Sequence, residues 1–262
     1  MSPLHGQFVW YELMTTDPDA ATAFYRAVIG WDAKDAGMGA DHPYTILHAG
    51  DYPVGGLMPQ PPMVREAGAP PSWSGYVLAD DVDGFAARVA QAGGAVHYGP
   101  EDIPGVGRFA VVGDPQGAVF QLFKGNQEAP PPRPAPGTPG TIGWHELSAA
   151  DQPSAFAFYA DLFGWTKGEA MDMGAMGVYQ IFNIGGTMAG GMMTRHDPTV
   201  RPHWSYYICV DNTEAAIARA KAAGGTLLNG PMQVPGGSWI AHLRDPQGGV
   251  FAIVGPGTQS PG

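Results

Sequence analysis

The chain holds one cysteine, Cys209, in 262 residues. A single thiol excludes an intramolecular disulfide framework and any zinc site built from thiolates. Charge is scarce too. Asp, Glu, Lys and Arg make up 14% of the sequence, with 13 basic residues against 24 acidic ones. The resulting net charge of −11 argues against nucleic acid, whose phosphates need Lys and Arg to release counterions, and against an anionic membrane surface. No apolar run reaches the roughly 18 residues that span a bilayer. The opening Met1-Ser2-Pro3-Leu4-His5-Gly6 has neither the basic nor the apolar region of a secretory leader. The expectation is a cytoplasmic protein whose partner is a small molecule, with no nucleic acid and no membrane.

What is abundant is glycine (39) and proline (26), a quarter of all positions and near the level typical of low complexity. Yet 44% of residues are hydrophobic, and Trp (7), Tyr (10) and Phe (11) are spread throughout. Disordered chains lack that apolar content, so this one folds. Its length corresponds to about one and a half to two domains.

A tandem repeat organises the chain. Trp10-Tyr11-Glu12-Leu13, Asp17, Phe24-Tyr25 and Gly30-Trp31 recur 134 residues later as Trp144-His145-Glu146-Leu147, Asp151, Phe158-Tyr159 and Gly164-Trp165. Gly55-Gly56 returns at an offset of 135 as Gly190-Gly191. Trp73, Asp80, Gly93-Gly94 and Asp114-Pro115-Gln116-Gly117 return at an offset of 131 as Trp204, Asp211, Gly224-Gly225 and Asp245-Pro246-Gln247-Gly248. The halves span residues 1–124 and 141–255. Between them, residues 125–140 read as a semi-rigid Pro-rich linker, and residues 256–262 as a frayed tail.

Each half divides again. Asp17-Pro18 sets a capping carboxylate before a proline at the first helical position, and Gly30 ends that helix. Val82, Phe85, Ala86 and Val89 give the second helix one apolar face, matched later by Thr213, Ala216, Ile217 and Ala220. Strand-like runs precede each helix (Phe8 to Thr15, Ser74 to Ala79), and short strands broken by glycine follow. The fold class is α+β, with four βαβββ units in two similar halves.

An aromatic-rich first strand, Asp, a helix with Phe-Tyr, then Gly-Trp and a closing Asp-Pro-Gln-Gly-x-x-Phe together resemble the vicinal oxygen chelate superfamily. That superfamily contains glyoxalase I, bleomycin-resistance proteins and extradiol dioxygenases, and the resemblance is to its tandem-repeat, glyoxalase-like members. It implies that each half is a mixed sheet curled into a cup around a small-molecule site. It also implies a metal, held by a histidine on the first strand of each unit, seven residues before the helix-initiating Asp, and by a last-strand glutamate. Carried onto this sequence, those places hold Trp10, Trp73 and Gln121 in the first half and Trp144, Trp204 and Ala252 in the second. An indole N–H only donates and cannot ligate a cation. No metal and no other cofactor is therefore expected.

Alternation along a strand puts Trp10 and Glu12 on one face, and likewise Trp144 and Glu146. One reading makes Glu12 and Glu146 carboxylates in a Trp-lined cup, suited to proton transfer or to fixing a polar ligand group. The other makes them structural groups beneath the core. His48 and His242 lie on inner strands and join the candidate ligand contacts, with Trp10, Trp73, Gln121, Trp144 and Trp204. Cys209 reads as an inert core thiol. Two functions follow: a metal-independent binder of apolar or aromatic ligands, acting as monomer or homodimer, or a lyase, isomerase or dioxygenase-like enzyme. The enzyme would use Glu12 or Glu146 as base, or a recruited metal.

Overall fold

The computed structural model describes residues 2, 4–39, 43–126 and 132–257, which form four βαβββ modules in sequence. The first module is β1 (Phe8–Thr15), α1 (Pro18–Ile29), β2 (Asp32–Asp35), β3 (Thr45–Ala49) and β4 (Tyr52–Pro59). A short helix α2 (Pro62–Glu66) leads to the second: β5 (Ser72–Leu78), α3 (Val82–Gln91), β6 (Ala95–Ile103), β7 (Gly107–Gly113) and β8 (Val119–Gly125). The third is β9 (Ile142–Ala149), α4 (Gln152–Phe163), β10 (Thr166–Asp172), β11 (Val178–Ile184) and β12 (Thr187–Thr194). The fourth is β13 (His203–Cys209), α5 (Thr213–Ala222), β14 (Thr226–Gln233), β15 (Trp239–Arg244) and β16 (Val250–Gly255). The α+β class and the fourfold βαβββ plan are those expected. Among the described residues, no helix is long and apolar enough to cross a membrane.

The helix signals act as the sequence indicates. Asp17 accepts from Ala20 N, and Gly30 closes α1 in the left-handed conformation at φ 89°. Asp151 and Gly164 do the same for α4. These caps satisfy backbone groups that a helix end would otherwise leave bare.

Contacts divide the chain into two compact units, and these are distinct from the sequence halves. Unit 1 comprises residues 1–9, 74–130 and 145–205; unit 2 comprises 10–73, 131–144 and 206–262. Each unit therefore combines one module from each half. In unit 2, the strand order β2-β3-β4-β1 is antiparallel except for the parallel pair β4/β1, where Glu12 faces Gly56. The order β14-β15-β16-β13 repeats that pattern, with Tyr207 facing Ala252 across its parallel pair. Helices α1 and α5 supply Phe24, Tyr25, Val28, Ala216, Ile217 and Ala220 to one core with Leu13, Leu47, Ile208, Leu243, Phe251 and Ile253 from the strands. Unit 1 has the same arrangement, with Gly191 facing Glu146 and Tyr76 facing Gln121 in its parallel pairs. Its helices α3 and α4 meet through the stacked rings of Phe85 and Phe163, 5.7 Å apart.

A buried tyrosine hydroxyl ties each core together. In unit 2, Trp73 Nε1 donates to Tyr25 Oη at 2.9 Å, and Tyr25 donates to Asp245 Oδ2 at 3.0 Å. The other oxygen, Oδ1, accepts from Gln247 N and Gly249 N, closing the Asp-Pro-Gln-Gly turn. In unit 1, Trp204 donates to Tyr159, Tyr159 to Asp114, and Gln116 N and Ala118 N to that aspartate. Desolvation holds the Tyr25 phenol well above its ordinary range and raises both aspartates. The Gly-Trp repeat has a parallel role. Trp31 donates to Gly140 O at 2.7 Å in unit 2, and Trp165 to Gly6 O at 2.9 Å in unit 1. Residues 127–131 of the expected linker lie outside the described residues, as do 258–262 of the expected tail. The rest of the linker is anchored at Gly140, whose N–H also donates to Cys209 O.

Tyr25→Phe would leave the Trp73 N–H without its acceptor and Asp245 Oδ2 without the phenol donor. A loss of about 2 kcal/mol is expected, or a Tm lower by about 4–8 °C. A thermal melt within one degree of wild type would contradict the role given to this hydroxyl.

Candidate functional site

The side of each sheet turned toward the helices is filled, so polar residues on the opposite side are the ones available for chemistry. On β1, Leu13 is fully buried in the core of unit 2. Alternation then turns Trp10 and Glu12 to the other face. There Trp10 Nε1 donates to Tyr44 Oη at 2.8 Å, and the Tyr44 hydroxyl in turn hydrogen-bonds Glu12. Glu12 is 6% exposed. Burial, then the Glu12 carboxylate, hold the Tyr44 phenol well above its ordinary range, so it stays protonated and donates.

The Gly-Gly repeat makes this arrangement feasible. A Cβ on Gly56 would lie 2.0 Å from Tyr44 Oη and 2.2 Å from its Cζ. A Cβ on Gly55 would lie 2.4 Å from Tyr11 O of the neighbouring strand. One glycine therefore admits the adjacent backbone and the next admits a phenol lying flat on the strand. Unit 1 repeats the device. Tyr179 Oη donates to Glu146 Oε2 at 3.0 Å, and a Cβ on Gly191 would lie 2.1 Å from the Tyr179 ring. Both carboxylates thus face a tyrosine hydroxyl. The two tyrosines were not identified as site residues from the sequence. The signal was present, because Tyr44 and Tyr179 share the 135-residue offset of Gly55-Gly56 and Gly190-Gly191.

Other expected site residues are placed differently. Trp73 and Trp204, expected to line a cup, instead face the helices, where their N–H groups meet Tyr25 and Tyr159. The reason is register: α3 and α5 are capped by Asp81 and Asn212, so the places seven residues before the caps hold Ser74 and Ser205, and alternation turns the preceding tryptophans to the helix side. Trp144 is half-buried on β9 in unit 2. His48, on β3, has Nδ1 3.3 Å from Ile46 O beside a bulge. His242 Nε2 lies 3.1 Å from Tyr207 Oη, on the face opposite the core residues Ala241 and Leu243. Gln121 on β8 is 2% exposed. His145 turns away from the carboxylates and stacks on Phe8 at 4.2 Å.

The donor set does not fit a cation at the places the family resemblance points to. The indoles of Trp10, Trp73 and Trp204 each donate to a tyrosine, and Ala252 offers no lone pair. Among the described residues, no group of three or more His, Cys, Asp or Glu side chains is placed to hold a metal ion. A pocket of about 440 Å³ in unit 1 is lined by Arg88, Gln116, Ser154 and Phe158. Another of about 410 Å³ in unit 2 is lined by Cys209, Val254 and Ser238. Neither is lined by Glu12, Tyr44, Glu146 or Tyr179. Burial raises the Cys209 thiol, which keeps it from acting as a thiolate nucleophile.

Known proteins share this organisation. The model of the Glyoxalase/Bleomycin resistance protein/Dioxygenase superfamily matches residues 7–122 and again 141–253. A Mycobacterium tuberculosis protein named "Putative glyoxylase CFP32" is 34% identical over 251 residues, covering 95% of each chain. The Streptomyces peucetius "Anthracycline biosynthesis protein DnrV" is 33% identical over 265 residues, covering 95% of this chain and 93% of its own. Among solved structures, the Mn(II)-bound glyoxalase of Novosphingobium aromaticivorans superposes with a TM-score of 0.65 at 19% identity, covering 96% of this chain and 82% of that one. A homoprotocatechuate 2,3-dioxygenase variant from B. fuscum gives 0.64 at 16% identity, covering 97% and 71%. At such identities these two matches speak for the fold alone.

Substituting Gly56→Ala forces the phenol off its strand, at a cost of about 1–3 kcal/mol. Because the clash is with the ring itself, Tyr44→Ala in the same chain should recover part of the loss. A double-mutant cycle in denaturant would read this coupling as about 1 kcal/mol or more. Simple additivity of the two substitutions would count against the packing described.

Proposed function

Since the chain belongs to the Glyoxalase/Bleomycin resistance protein/Dioxygenase superfamily, we propose that it is a small-molecule-binding member that works without the family's metal. The observation that carries this reading is the engagement of Trp10. Where the family resemblance calls for a metal-ligating histidine, an indole N–H donates to Tyr44, and Tyr44 is committed to Glu12. An indole N–H cannot ligate a cation, and the Tyr44 proton is committed to Glu12. The face instead offers aromatic edges and a carboxylate–phenol pair. That combination suits a planar aromatic ligand carrying hydroxyl or carbonyl groups, bound by stacking and a few directed hydrogen bonds. The name of DnrV, which places that relative in anthracycline biosynthesis, is in keeping with a polycyclic aromatic ligand.

A second reading has one observation in its favour. Glu146 is half-buried and accepts from Tyr179, an arrangement that a proton-transfer enzyme could use, with the carboxylate as base. Turnover of a dicarbonyl such as methylglyoxal, lost in Glu146→Gln, would favour it over pure binding.

The binding reading is tested by calorimetric titration of 2,6-dihydroxyanthraquinone into the full chain, with and without EDTA. Saturable binding of equal affinity in both conditions is expected, weakened by roughly tenfold in Glu12→Gln, or about 1.4 kcal/mol. Binding that EDTA abolishes and Mn²⁺ or Fe²⁺ restores would contradict the metal-free account.

A further inference from the structure

The hairpin between β10 and β11 carries a group of side chains that core packing does not explain. Met171, Met173 and Met176 fall within six residues, in the spacing Met-x-Met-x-x-Met, at the tip of this ribbon in unit 1. Exposure there is high for apolar side chains. Met173 is 36% exposed and Met176 47%, whereas Met192 on β12 is fully buried. The counterparts in the first half, 135 residues earlier, are Ala36, Met38 and Asp41, so the triplet belongs to the second half alone.

Local geometry brings the three together. Met171 pairs with Tyr179 and Asp172 with Val178, so the two strands keep their register up to the tip. Residues two apart on a strand leave it on one face, which puts Met171 and Met173 side by side. The chain then turns through Gly174–Met176, where Met176 N–H meets Met173 O at 3.3 Å. Such a turn keeps its first and fourth Cα atoms within about 7 Å. Asp172 Oδ1 accepts from Gly174 N at 2.9 Å, and Met173 N donates to Gly177 O at 2.9 Å, which pins the tip. A methionine side chain is unbranched with three rotatable bonds, enough for three sulfurs to turn onto one point.

Thioether sulfur is a soft, uncharged donor, and soft donors select Cu(I) over the harder divalent ions. A d¹⁰ ion imposes no geometry of its own, so three flexible donors on one turn can satisfy it. The Asp172 carboxylate next to the turn adds negative charge that favours a cation there.

We propose that Met171, Met173 and Met176 form a thioether site for a soft monovalent cation, Cu(I), at the tip of the second-half hairpin. The site uses none of Glu12, Tyr44, Glu146 or Tyr179, and it stands independently of the small-molecule reading. It does not take Mn²⁺, Fe²⁺, Ni²⁺ or Zn²⁺, for which a neutral thioether is a poor ligand.

The probes are Cu(I), kept reduced by ascorbate under argon, and Ag(I), its redox-inert analogue. Both are titrated into the full chain bearing Cys209→Ala, which removes the single competing thiol. With the methionine methyl groups labelled with carbon-13, three of the twelve signals should shift on adding one equivalent. Competition with a chromophoric Cu(I) chelator should show affinity falling by roughly tenfold in Met173→Leu, and further in Met173→Leu/Met176→Leu. Met63→Leu, at a methionine 66% exposed in unit 2, should leave it unchanged. Leucine conserves volume, so the Tm of the ion-free protein should hold.

Binding that survives the double variant overturns the site, as does a copper X-ray absorption spectrum showing only nitrogen and oxygen ligands. A double variant that melts well below its parent also overturns it, since the methionines would then be structural. Self-association lost in that variant, with no Cu(I) bound by the parent, would make the tip a contact between chains instead. None of these outcomes bears on the anthraquinone titration, so the two proposals fail separately.

Discussion

A tyrosine hydroxyl buried under the helices of each unit is the constraint on which the rest of this structure depends. Without Tyr25, Asp245 Oδ2 would lose its side-chain donor, and Trp73 would be an N–H without its acceptor. Tyr25 settles both at once, with hydrogen bonds of 2.9 and 3.0 Å. Because Asp245 also closes its own turn, the helix of one module is fixed to the last hairpin of another, from the opposite half of the sequence. Tyr159 does the same between Trp204 and Asp114. The helix side of every sheet is thereby filled, and any ligand must meet the opposite side.

On that opposite side an indole, a phenol and a carboxylate are joined by hydrogen bonds. Glycines at 56 and 191 let a phenol lie against the strand, and the phenol orients a carboxylate. A carboxylate–phenol pair of this kind offers directed hydrogen bonds to a polar group. The halves diverge further at the last strand, where Gln121 stands in one and Ala252 in the other. The two halves offer similar frames with unequal side chains on their outward faces.

Much of the fold was legible in the sequence because its signals are local. Caps at Asp17 and Asp151, stops at Gly30 and Gly164, and the spacing of Val82, Ala86 and Val89 depend only on neighbours along the chain. The pairing of modules was not legible, since Tyr25 and Asp245 are brought together by tertiary packing that no periodicity encodes. The orientation of Trp73 and Trp204 turns on a single residue of register: α3 and α5 are capped by Asp81 and Asn212, one position after Asp80 and Asp211, and alternation then puts each tryptophan on the helix side. Alternation puts Glu12 beside Trp10 and Glu146 beside Trp144, but it carries no sign of the tyrosines that meet these carboxylates. Their link to the Gly-Gly repeat emerges only when a Cβ is placed on the glycine and meets the ring.

Metal-free ligand binding is tested most directly by calorimetric titration of Mn²⁺, Fe²⁺, Ni²⁺ and Zn²⁺ into chelator-treated protein. No saturable, stoichiometric heat is expected for any of the four ions. One tightly bound ion per chain or per half, lost in Glu12→Gln or Glu146→Gln, would contradict it.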